Sequence, residues 1–296
     1  MSDEATATAA IPRSRLSISS ISMPDEPFET EVERIGRHGL GGVGIWEYKI
    51  ENHDIARVKA HLEANGVRVS NCVPIANTIY PGRSHPSPAD PRARVEDLRR
   101  RIARLAPLAP ESIVTVTGPM RDEEPERFWE TLRWAYNVLS DTARDEGVTL
   151  ALEPIHPSSP ADDCPMSTIA EAAALLDSLD EPAVGILVDS WHVCPDPAML
   201  EQLSKQRARI VGAHLADHRP GAVSDRDRAF PGEGTGESFA LVDALDEVGF
   251  DGFLDMEIFS DDGRLVSPVE PCLWKLDPDE IIRRCVHLLV GGTAST

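Results

Sequence analysis

Four short runs of this chain each carry a side chain able to hold a cation or move a proton. TLALEPIHP carries Glu153, ILVDSWHV carries Asp189 and His192, VGAHLAD carries His214, and FLDMEIF carries Glu257. Each of these residues sits inside or directly after an otherwise apolar stretch. A buried carboxylate is costly unless a positive partner stands beside it, and a divalent cation is such a partner. A salt bridge, or a core histidine bonded to a carbonyl, would explain any one of them alone. Four on successive runs call for a common explanation. Three carboxylates and one imidazole form a mostly oxygen donor set without thiolate, which favours Mn²⁺, Mg²⁺ or Co²⁺ over a structural Zn²⁺. The expected cofactor is therefore one divalent ion, Mn²⁺ first, with Mg²⁺, Co²⁺ and Zn²⁺ as alternatives.

The elements that position these residues follow from hydrophobic periodicity. Runs rich in Val, Ile and Leu predict strands over Leu16–Ser22, Gly42–Glu47, Val67–Pro74, Ile113–Gly118, Val148–Ile155, Val184–His192, Ile210–Asp217 and Gly252–Ile258. Continuous apolar character, as in GILVDS, suits strands covered on both faces. Between them lie stretches with apolar residues three or four apart, such as RVEDLRRRIARLA and PERFWETLRWAYNVLSDTARDEG, and DPDEIIRRCVHLLV closes the series. Eight strand–helix units over this length predict a closed (β/α)₈ TIM barrel, with an open doubly wound sheet as the alternative. Residues 1–14 are small, polar and aperiodic and read as a mobile tail, leaving 15–291 for the barrel. Active sites of such barrels lie at the carboxyl ends of the strands. That is where Glu153, Asp189, His192, His214 and Glu257 fall, and Trp46 ends the second strand, where an aromatic ring can pack against a sugar.

The motifs LEPIHP, VDSWH, HLADHRP, RAFPGEGTG and LDMEIF, in this order, resemble those of the xylose isomerase-like barrel superfamily, in its sugar phosphate isomerase/epimerase branch. The resemblance implies that Glu153, Asp189, His214 and Glu257 are metal ligands, and that Glu153 and Glu257 are also the acid/base pair. It implies a substrate-contacting role for His192, and for Arg228 a role in binding a substrate oxygen. The implied activity is a metal-dependent isomerase or epimerase of a sugar or polyol ketone. Such an enzyme abstracts the proton beside a carbonyl while the metal stabilises the enediolate. The alternative is a lyase of the same superfamily, an inosose dehydratase or a C-glycoside deglycosidase acting on 3-oxo-sugars. Two departures bear on that choice. His156 stands where many epimerases have asparagine, which makes it a substrate-binding candidate. Trp191 stands where a smaller aromatic residue is common, either shaping the pocket floor or packing helix to barrel. Trp274, in a long segment after the eighth strand, is a candidate lid residue.

Composition narrows the remaining classes. A formal charge of −21 over 296 residues opposes binding to a polyanion. An abasic-site endonuclease on the same barrel would need histidines where this chain has NCVP and TVTG, and Asp-x-His where it has Asp227-Arg228-Ala229. Five scattered cysteines without a CxxC pair suit a reducing compartment. With neither a signal-like start nor a membrane-length apolar run, a cytoplasmic enzyme is expected, without nucleic-acid or membrane partners. The expected partner is a small carbohydrate, and related barrels often pair, so a homo-oligomer is a further expectation.

Overall fold

The computed structural model describes residues 10–82, 85–157, 164–180, 182–222 and 224–291. Eight parallel strands close the barrel: β1 (Leu16–Ser19), β2 (Gly42–Trp46), β3 (Arg68–Val73), β4 (Ser112–Thr115), β5 (Leu150–Leu152), β6 (Val184–Asp189), β7 (Ile210–Leu215) and, after the two-residue strands β8 (Asp217–His218) and β9 (Arg228–Ala229), β10 (Leu254–Met256). Each barrel strand lies beside its sequence neighbour, and β10 returns to pair with β1 through Leu16 and Leu254. The open-sheet alternative is thereby excluded.

Several of the helices start where short polar side chains cap them. They are α1 (Phe28–Arg37), α2 (Ile55–Ala64), α3 (Pro91–Leu105), α4 (Pro125–Glu146), α5 (Ile169–Asp177), α6 (Ser190–Val193), α7 (Met199–Lys205), α8 (Glu237–Glu247) and α9 (Pro278–Gly291). Asp54 caps α2, Asp90 caps α3 ahead of Pro91, and Thr168 forms a reciprocal capping box with Glu171 at α5. Gly147 takes φ 69° to close α4, a backbone conformation that glycine adopts without a Cβ clash. Leu98, Ile102 and Leu105 of α3 are buried, as are Phe128, Leu132 and Leu139 of α4. These side chains join the apolar strand residues in one continuous core.

Every strand differs from the sequence expectation by a residue or more at one end at least, and three differences have consequences. The sixth run stops as a strand at Asp189, because the Asp189 carboxylate accepts the Trp191 N–H and starts the one-turn helix α6; His192 is therefore helical. The seventh run breaks at Ala216, and Asp217–His218 pairs antiparallel with Arg228–Ala229. Of the expected tail, residues 1–9 lie outside the described residues. Ile11 is buried and its N–H donates to the Leu289 carbonyl at 2.9 Å. Packing against α9 thus begins ahead of residue 15.

Candidate metal centre and active site

The strand ends bring four ligand groups to one point. Glu153 follows β5 directly, Asp189 ends β6, His214 lies in β7 and Glu257 follows β10 directly. One atom from each lies within 4.8 Å of the others, and all four residues are buried. The Nδ1 atom of His214 faces Glu153 Oε1 at 3.5 Å and Glu257 Oε2 at 3.4 Å. That nitrogen is buried without a hydrogen bond. Atoms bonded to one ion at about 2.0–2.2 Å stand at most about 4.4 Å apart, so a small contraction seats a divalent cation among these four. The orphaned imidazole nitrogen and the surplus of carboxylates both fit such a group.

Proton affinities at this point follow from crowding. Burial raises the Glu153 carboxyl to about 7, outweighing the pull of His214. Burial also raises Asp189, against the opposing charge of Arg228. For Glu257 burial works upward too, but His214 and Arg228 outweigh it and hold the group at about 2. Burial alone would depress His214, yet Glu257 and Glu153 keep it well above the ordinary histidine value. Without a cation the imidazolium thus stands in for one.

Arg228 reaches the centre from β9. Its Nη1 donates to Asp189 Oδ2 at 2.7 Å, to the Glu257 carbonyl at 3.2 Å and to Glu257 Oε2 at 3.3 Å. The β8–β9 pairing sets the register His218 against Arg228 and holds the arginine over the mouth. His192 lies beside it, with Nε2 3.3 Å from Arg228 Nη2. The His156 N–H donates to His192 Nδ1 at 3.1 Å, and Arg228, which can only donate, faces Nε2, so a donor stands at each ring nitrogen. Burial, reinforced by Arg228, holds His192 well below its ordinary value and therefore neutral.

A cavity opens above these groups. Glu153, His192, Arg228 and Glu257 form its polar end, and Ile21, Trp46, Phe259 and Leu265 an apolar side. The Trp46 ring meets Phe259 edge-on at 5.6 Å, and its Nε1 donates to Ser19 Oγ at 3.0 Å. Trp46 therefore stands where the sequence placed it.

Three other residues named from the sequence are not among those that line the cavity. The His156 side chain packs edge-on against Trp191, at 5.9 Å between ring centroids, and is not among the residues lining the cavity. The His156 backbone, through His192, is what reaches the site. Trp191 is a packing residue, stacked on His218 at 4.3 Å behind His192. Trp274 is buried, with Nε1 donating to the Ile258 carbonyl at 2.8 Å, so it braces Phe259 from behind and is no lid. The segment that carries it is pinned by Asp261, which accepts N–H groups from Gly263, Leu265, Val266 and Ser267.

Sequence reasoning missed Asp255, which lies beneath His214 with Oδ2 3.7 Å from Nε2. The signal was present: side chains two apart on a strand share a face, so Asp255 points inward with Glu257. It also missed Asn77, Thr78 and His85 on the opposite wall, which come from a segment without periodicity.

The profile of the xylose isomerase-like TIM barrel matches residues 32–284. The inosose isomerase of Bacillus subtilis (strain 168) is 29% identical over 150 residues, 49% of this chain and 49% of that protein. The chain thus spans about half the length of the curated relatives it matches. Among solved structures, protein SMc04130 of Sinorhizobium meliloti 1021 superposes with a TM-score of 0.79 at 24% identity, covering 93% of this chain and 97% of that one. The IolI protein with a bound zinc atom superposes with a TM-score of 0.74 at 19% identity, covering 93% and 98%. These two structures share the fold, and the matched profile covers the strands and helices that build the centre. The chain belongs to the xylose isomerase-like TIM barrel family.

Proposed function

We propose that the protein is a divalent-metal-dependent isomerase or epimerase of a sugar or polyol ketone. The observation that carries this is the pair of buried carboxylates, Glu153 and Glu257, set on either side of the His214 nitrogen and both opening into one cavity. A bound divalent cation would supply Lewis acidity to the carbonyl and adjacent hydroxyl oxygens of the substrate. Glu153, Asp189, His214 and Glu257 would hold it, and the oxygen-rich set suits Mn²⁺ first. The zinc in IolI supports a divalent ion at such a centre, and the name of the Bacillus relative supports a polyol ketone as substrate.

The residues themselves divide the work. Trp46 and Phe259 present apolar faces to the carbon-bound hydrogens of a ring or chain. His192 and Arg228 present polar groups to hydroxyl oxygens. Glu257 and Glu153 reach the cavity from different strands, so one can remove the proton and the other return it. Return to the same carbon gives an epimer, and return to the neighbouring carbon gives an isomer. Expulsion of a hydroxyl group or aglycone instead would be the lyase outcome. His156 and Trp191, the departures that raised it, lie outside the cavity wall.

Product analysis of the Mn²⁺-loaded protein on a panel of inososes, ketoses and 3-oxo-glycosides tests this reading. An isomer of unchanged mass is expected. A product lighter by water or an aglycone would replace isomerisation with elimination.

A further inference from the structure

Beneath the ligand cluster the barrel interior holds one more carboxylate, which the proposed chemistry leaves unused. Asp255 on β10 is 1% exposed. Its Oδ1 accepts the Ser17 hydroxyl from β1, and its Oδ2 accepts Asn71 Nδ2 from β3 at 2.9 Å. On β2, Gly44 leaves the space it needs, since a Cβ there would stand 2.2 Å from Oδ2. Four strands thus combine to fix one carboxylate in the middle of the barrel. Burying an anion where serine or valine would fill the space is costly, and two neutral donors do not neutralise it.

Its one ion-pair contact among the described residues is His214, whose Nε2 lies 3.7 Å from Oδ2. That nitrogen is buried and has no hydrogen-bond partner among the described residues, and the distance is a few tenths of an ångström beyond one. The opposite ring nitrogen faces Glu153 and Glu257. The imidazole therefore lies between the ligand carboxylates on one side and Asp255 on the other. A neutral imidazole carries one proton, and a carboxylate at Nε2 draws it there, leaving the Nδ1 lone pair for a cation.

We infer that Asp255 is a positioning residue that fixes the Nε2–H tautomer and the ring orientation of His214, and thereby sets metal affinity at the centre. The inference rests on the metal reading of this site. An asparagine in its place would have the same shape, but without the negative charge that draws the ring proton of His214 to Nε2. The carboxylate is needed, not its volume.

The test is Mn²⁺ binding by titration calorimetry to the wild-type chain and to Asp255→Asn, with thermal unfolding of both metal-free proteins as the fold control. A weakening of about 10–100-fold in a variant that unfolds like the wild type is expected. If the wild type binds Mn²⁺ and the variant binds it within about twofold, this inference falls while the metal reading stands. If the wild type binds no Mn²⁺, both fall. Should the variant fail to fold, ¹⁵N-histidine NMR of the Mg²⁺-loaded wild type decides. A proton on His214 Nε2 with none on Nδ1 supports the inference, and the reverse tautomer overturns it.

Discussion

Glu257 and Glu153 are chemically identical side chains held at opposite ends of the carboxylate range, about 2 and about 7. The difference arises from what stands next to each. At Glu257 the charges of His214 and Arg228 outweigh burial, whereas burial dominates at Glu153. Replacing Glu257 with Gln keeps the volume and removes the base, so turnover should fall by about 10²–10⁴-fold with the unfolding curve little changed. Substantial remaining turnover would remove its catalytic role. The proton on Glu153 also competes with a cation, because the carboxyl must ionise before it can ligate. Its raised value favours the metal-free fold at low pH, a contribution lost as pH rises through about 7. Metal affinity should change in the opposite sense, strengthening from about pH 6 to about pH 8 with proton release on binding. Calorimetry in buffers of different ionisation enthalpy measures both, and a pH-independent affinity would contradict the assignment.

At the scale of elements, the barrel strands were legible because a strand covered on both faces must be apolar along its length, as VGILVD is. The four clustered residues were legible for the same reason, being polar residues interrupting apolar runs. What stayed hidden depends on contacts between distant segments. Nothing local in His156 says that its backbone, and not its ring, reaches His192. Trp274 reads as a lid until the Ile258 carbonyl is seen to hold it. The β8–β9 pair is only two residues long on each side, too short for any periodicity, yet it carries Arg228. Gly44 is another such case, an ordinary strand glycine until Asp255 is placed against it. Gly44→Ala should therefore destabilise the metal-free protein by about 1–3 kcal/mol, because a methyl group must displace a fixed carboxylate. Urea unfolding measures this, and a neutral substitution would mean that the interior has room to spare.

At the scale of the whole molecule, four of the eight barrel strands each bring one of the clustered side chains Glu153, Asp189, His214 and Glu257 to one centre. A cation held by four strands binds the folded chain only, so it should stabilise the fold by about 2.7 kcal/mol at a hundredfold excess over Kd. Thermal unfolding with Mn²⁺ and with a chelator reads this as a shift of several degrees upward with the ion, and identical melting curves would mean that no such site forms. Among the described residues no helix is long and apolar enough to cross a membrane. The molecule is a closed barrel with its candidate site at one end, and the central claim is that this end removes a proton beside a carbonyl. Proton NMR in D₂O tests it most directly, with Mg²⁺-loaded protein and the same panel of inososes, ketoses and 3-oxo-glycosides. The account predicts deuterium entering at the carbon next to the carbonyl of at least one substrate, and its loss in Glu257→Gln. A wild-type protein that binds the metal and yields product without deuterium entering at that position would contradict it.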